Sequence, residues 1–219
     1  MNSILEKVKE GRQYRNMTLE IRKDNEASDE GAFLVRGYAT TYNEPYVLYS
    51  DDNIEIREQV APDAFEKADM SDVIFQYNHE GRVFARTRNN TLSLKSDEHG
   101  LLIEADLGGT EEGRKLYDEI KGGYTDRMSF GFHVTADDVQ ETREKGKRTI
   151  YLRTITQVGK LYDVSAVSIP ANDGTEISAR SFVDGVIAKD EAERLLIAEA
   201  EKREQAKKAL ELEIMLMED

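Results

Sequence analysis

The absence of cysteine removes a thiolate nucleophile and leaves any catalysis to serine, three histidines and the carboxylates. Ser129 is the serine whose surroundings point most to chemistry. Met128, Phe130, Phe132 and Val134 alternate with Ser129, Gly131 and His133, so a strand here carries an apolar face and a small polar one. Burial of the apolar set would fix the hydroxyl, and Gly131 beside it leaves room for a second chain. A serine on the solvent face of an ordinary half-buried strand is the competing reading.

Among the histidines, His99 lies in a polar turn before Gly100 and reads as solvated. His133 shares the face of Ser129 but stands four residues further along an extended strand, roughly 13 Å away at the usual rise, too far for a hydrogen bond. His79 ends the apolar run Val73–Asn78 beside a turn, where scaffolds often present working side chains. It is a candidate general base for Ser129, with a histidine merely satisfied at a strand end as the alternative. Asp163 interrupts the otherwise apolar run Leu161–Ile169, where an ionised group is costly unless paired. Pairing with an imidazole would offset that cost and would fix the ring; an exposed face of the strand would also explain it.

Other chemistries lack their signatures. The residues around Ser129 do not form G-x-S-x-G, no H-E-x-x-H occurs, and neither Gly108-Gly109 nor Gly122-Gly123 precedes Lys-Ser/Thr. No metal or cofactor is expected. A net charge of −14 and the lack of a basic patch argue against nucleic acid and anionic membrane as partners. No apolar run reaches membrane-spanning length and the first residues form no signal-peptide core, so the expectation is a soluble, intracellular protein.

Around these residues the chain reads as many short strands with a few helices. Ser3–Arg15 has the spacing of a short amphipathic helix, and residues 1–17 are taken as a helical arm. Strand patterns follow at Leu19–Ile21, Ala32–Ala39, Ile54–Val60, Val73–Asn78, Val83–Arg86, Leu92–Lys95, Leu101–Leu107, the Ser129 segment, Thr149–Arg153 and Leu161–Ile169. Pro62–Phe65 can open a short helix. Thr110 can cap another that carries Glu111 and Glu112 in its first turn and stops at Gly122. Asp137–Arg148 reads as a charged excursion. From about Asp190 the composition becomes that of a long helix, whose heptad seam from Leu195 to Leu216 is interrupted by Lys202 and Gln205, too polar for a strong coiled coil. The expected fold is α+β and mainly β: an antiparallel β-barrel over residues 18–184, with peripheral helices and an acidic helical C-terminal tail over 185–219.

Several of these segments together resemble a known family. Asn78-His79-Glu80 ending a strand, the strand Gly100–Ala105, a helix ending in Lys121-Gly122-Gly123, Met128-Ser129-Phe130-Gly131-Phe132, and Leu161–Asn172 look like the prohead (capsid maturation) serine proteases of tailed phages of the HK97 type. The resemblance spans about residues 18–180. It implies a fold similar to the herpesvirus assemblins, with Ser129 as nucleophile, His79 as base and Asp163 as third member. The family often has Glu at the last position, and the shorter Asp163 demands a closer approach to His79. The resemblance further implies action inside the procapsid, in the host cytoplasm, on the major capsid protein or scaffold protein and on the enzyme itself. It leaves a homo-oligomer open, and places the oxyanion donors near Arg127 by analogy. The rival expectation is a non-proteolytic scaffold or capsid-assembly protein with the same fold.

Overall fold

The computed structural model describes residues 13–18, 33–143, 147–167 and 177–217. Ten strands run in order: β1 Gln13–Thr18, β2 Leu34–Thr41, β3 Tyr46–Ser50, β4 Ile54–Val60, β5 Ile74–Tyr77, β6 Glu80–Arg86, β7 Leu92–Ser96, β8 Gly100–Asp106, β9 Arg127–Thr142 and β10 Thr149–Val167. Helix α1 spans Glu111–Lys121 and α2 spans Ile177–Met217. The chain divides into two units, Met1–Arg180 and Ser181–Asp219.

The first unit is mainly β, but its strands do not close into the expected barrel. Seven form one sheet in the order β1-β9-β10-β4-β3, with β5 on β10 and β6 on β5; β2, β8 and β7 form a separate sheet. The reason is the length of β10. Its first half pairs in parallel with β4 and its second half in parallel with β5, while β9 runs antiparallel along nearly the whole opposite side. One long strand thus serves as spine for short neighbours, and β1 and β3 remain as the ends of the path. The sheet is also mixed, not purely antiparallel.

Between the two sheets lies the core. Alternation buries Met128, Phe130 and Phe132 from β9, and Val164 and Ala166 from β10, in one cluster with Val35 and Ala39 of β2 and Leu101, Ile103 and Ala105 of β8. Phe130 and Phe132 stack at 4.6 Å between centroids. Helix α1 adds Leu116 and Ile120 to this cluster. The Thr110 hydroxyl accepts the Gly113 N–H at 3.0 Å, satisfying one of the donors that a helix start leaves open.

Several segments differ from the sequence reading. Residues 13–17, assigned to a helical arm, lie in β1, which pairs antiparallel with β9; the remainder of that arm, the Leu19–Ile21 strand and the end of the Leu161–Ile169 run fall outside the described residues. Around Pro62 the chain makes four-residue turns, Ala64 N–H to Ala61 O and Glu66 N–H to Asp63 O, in place of a helix. The charged excursion is largely strand: β9 continues to Thr142 because β10 gives its backbone a partner at every step of Asp137–Thr142. The unread β3 is a short edge strand on β4. Helix α2 begins at Ile177, ahead of the expected 185, and exposes Leu195, Leu196 and Ile197 on consecutive positions, which spreads apolar surface around the helix. No described helix is long and apolar enough to cross a membrane.

Candidate active site

Two neighbouring strands and the turn after a third carry the side chains singled out above. β10 lies between β9 and β5, with Ser165 opposite Ser129 on one side and opposite Gln76 on the other. Opposed residues in a ladder project to the same face, so Ser129, Gly131, Asp163 and Ser165 share the face turned away from the core.

Asp163 reaches that face through a bulge. Leu161 is opposite Phe132 and Asp163 is opposite Gly131, so Tyr162 is an extra residue in the ladder. Without it, Asp163 would follow Leu161 onto the apolar face. The bulge reverses the phase and turns the carboxylate toward Ser129.

His79 is delivered by the turn between β5 and β6. Only Asn78 and His79 separate these strands, and both have positive φ, 51° and 58°. That is the backbone of a type I′ hairpin, whose second position usually belongs to glycine. Asn tolerates the left-handed region and His less so, so the turn holds His79 in a conformation disfavoured by about 1–2 kcal/mol. The Asn78 N–H donates to the Ala166 carbonyl at 2.9 Å and ties the turn to β10.

The result is a continuous line of polar contacts in a buried place. His79 Nε2 and Ser129 Oγ are 2.6 Å apart. His79 Nδ1 is hydrogen-bonded to Asp163 Oδ1. The same carboxylate oxygen accepts the Ser165 hydroxyl at 3.0 Å. Ser129 and Ser165 have no exposed surface, Asp163 is 1 % exposed and His79 7 %. Of the other two histidines, His133 adjoins Gly159, and His99 packs edge-on against Tyr38 at 4.6 Å. Among the described residues no group of His, Asp and Glu is arranged to hold a metal ion.

Two buried polar features escaped the sequence reading. Ser165 was one more small residue in an apolar run, although its spacing of two from Asp163 put both on one face. The second is a buried ionic cluster that joins β1, β4 and β10. Glu58 of β4 accepts from Arg15 of β1 through Nε and Nη2, the latter at 2.9 Å, from Arg153 at 2.8 Å and from the Tyr46 hydroxyl at 2.6 Å. Arg15 also lies over the Phe132 ring at 5.6 Å. Burial pushes the Glu58 carboxyl up, but the charge and hydrogen bonds of Arg15, then Arg153 and Tyr46, outweigh it and hold the group below its ordinary value. No sequence pattern joins positions 15, 58 and 153.

A family model described as caudovirus prohead serine protease matches residues 17–186. Among solved structures, that of the bacteriophage T4 capsid assembly protease, gp21, is similar with a TM-score of 0.36 at 11 % identity, covering 73 % of this chain and 98 % of that one. No curated protein matches.

Proposed function

The chain belongs to the caudovirus prohead serine protease family, and on that premise we propose that Ser129, His79 and Asp163 form its catalytic relay. The observation that carries this reading is the 2.6 Å contact between His79 Nε2 and Ser129 Oγ, with the other ring nitrogen held by Asp163. A serine protease needs that order of groups. His79 takes the hydroxyl proton as Ser129 Oγ attacks the scissile carbonyl carbon, and Asp163 keeps the Nδ1 proton in place while stabilising the imidazolium. Collapse of the tetrahedral intermediate breaks the C–N bond, and the imidazolium gives its proton to the leaving amine. Water, deprotonated by the same imidazole, then releases the acyl group.

Backbone donors for the oxyanion are expected near Arg127. In this arrangement β9 is paired over 127–132 with β1 on one side and β10 on the other, and Ser129 is fully covered. A substrate carbonyl therefore reaches the hydroxyl only after neighbouring chain moves aside. The protease acts in prohead assembly; its proposed substrates are the scaffold protein or the scaffolding segment of the major capsid protein, and its own chain, inside the procapsid in the host cytoplasm. A non-proteolytic assembly role has no use for the aligned imidazole.

The test is co-expression of the protein, or its Ser129→Ala variant, with the matching capsid protein, followed by intact-mass analysis. Wild type is expected to shorten the capsid protein. Loss of the hydroxyl should slow cleavage on the order of 10⁴-fold or more. Equal cleavage by both would refute the assignment.

A further inference from the structure

We infer that Ser165 is a positioning residue of this protease, acting through Asp163; the inference rests on the relay proposed above. The ground for it is the way Asp163 is supported. Its carboxylate is 1 % exposed, and both of its hydrogen bonds fall on one oxygen: Oδ1 receives His79 Nδ1 and the Ser165 hydroxyl, while Oδ2 is buried with no partner among the described residues. An anion withdrawn from water depends on the donors around it, and an orientation set by one hydrogen bond can pivot about it. Ser165 supplies the second bond. It fixes the carboxylate from its own strand, two residues away, so that Oδ1 stays aimed at the imidazole.

The placement suits that task. Ser165 is itself fully buried and directly opposite Ser129 in the ladder. Its one hydroxyl proton is donated to Asp163 at 3.0 Å. Ser165 thus orients the group that orients the base. Its removal should slow the covalent step without altering how well a ligand binds.

A fluorophosphonate probe tests this on the full chain without a known peptide substrate. Ser129 Oγ bonds to phosphorus, fluoride leaves, and His79 accepts the hydroxyl proton; mass analysis locates the adduct on the Ser129 peptide. For Ser165→Ala the maximal inactivation rate is expected to fall about 10- to 100-fold, the range for losing a neutral donor to a charged acceptor, with the half-saturating probe concentration unchanged. Ser165→Thr, which restores the hydroxyl, should recover most of the rate. The downfield imidazole N–H proton resonance of His79 should shift or broaden in Ser165→Ala, a change that a purely structural serine would not cause. If Ser165→Ala does not fold, Ser165→Cys, a weaker donor of similar size, should show a smaller loss in the same rate.

An inactivation rate for Ser165→Ala within twofold of wild type, with the resonance unmoved, overturns the inference. Ser129→Ala and His79→Ala separate that failure from failure of the relay itself. If both are unreactive while Ser165→Ala is not impaired, only the positioning role is lost; if either reacts like wild type, the relay is wrong.

Discussion

Replacing Glu58 by glutamine keeps the shape of a fully buried side chain and removes its charge. Arg15, 3 % exposed, and Arg153, 5 % exposed, then face a neutral amide where they had a carboxylate. Deleting one partner of a buried ion pair costs about 3–5 kcal/mol, because the remaining charge is left uncompensated. Arg153 retains Asp137 as a second partner, so the lower end, about 3 kcal/mol, is expected. With a typical urea dependence, this lowers the denaturation midpoint by about 1–2 M. The pH dependence provides an internal control. The folded Glu58 carboxyl lies below its ordinary value, so its contribution is complete above the ordinary glutamate value of the unfolded chain and is lost as pH falls through the lower folded value. That acid-side loss should be absent from Glu58→Gln. Amide exchange in Gln13–Thr18 should also quicken, since Arg15 ties β1 to Glu58. A variant within about 0.5 kcal/mol of wild type, with the same acid slope, would refute this account of what holds β1 in place.

The turn that presents His79 makes a second contrast. Asn78→Gly should preserve activity and stability, whereas Asn78→Val puts a β-branched residue at φ 51° and should cost about 1–2 kcal/mol and reduce probe labelling of Ser129; equal behaviour of the two would exclude backbone strain as the reason for Asn at this position. Thr110→Ala removes the cap on Gly113 and should cost about 1 kcal/mol by urea denaturation, with no change in the labelling rate of the folded protein.

The parts of the site that were legible in the sequence are those written in local pattern. Alternation from Met128 to Val134 marked the face of Ser129, the end of an apolar run marked His79, and a carboxylate in an apolar strand marked Asp163; these three side chains lie in contact. What was not legible depends on long-range pairing. Whether Thr149–Arg153 and the run from Leu161 are two strands or one is decided by β9, which gives β10 partners through the polar stretch between them, with β4 reaching as far as Ile155. The same pairing draws Asp137–Thr142 into β9 against its own composition. Openness of the sheet follows from parallel neighbours shared along one side of β10, and alternation is blind to strand direction. The Tyr162 bulge has no signal at all: a strict period of two would have put Asp163 on the side of Leu161.

The order of strands along the chain also bears on when proteolysis can begin. His79 and Ser129 both precede the strand that stands between them, and among the described residues β5 and β9 are joined in the sheet through β10, which pairs as far as Val167. A nascent chain halted ahead of Thr149 contains His79 and Ser129 but has no scaffold to align them. On the proposed assignment, assembly of the relay is thus postponed until β10 has been made. Probe labelling of a nested series of C-terminal truncations would time that onset.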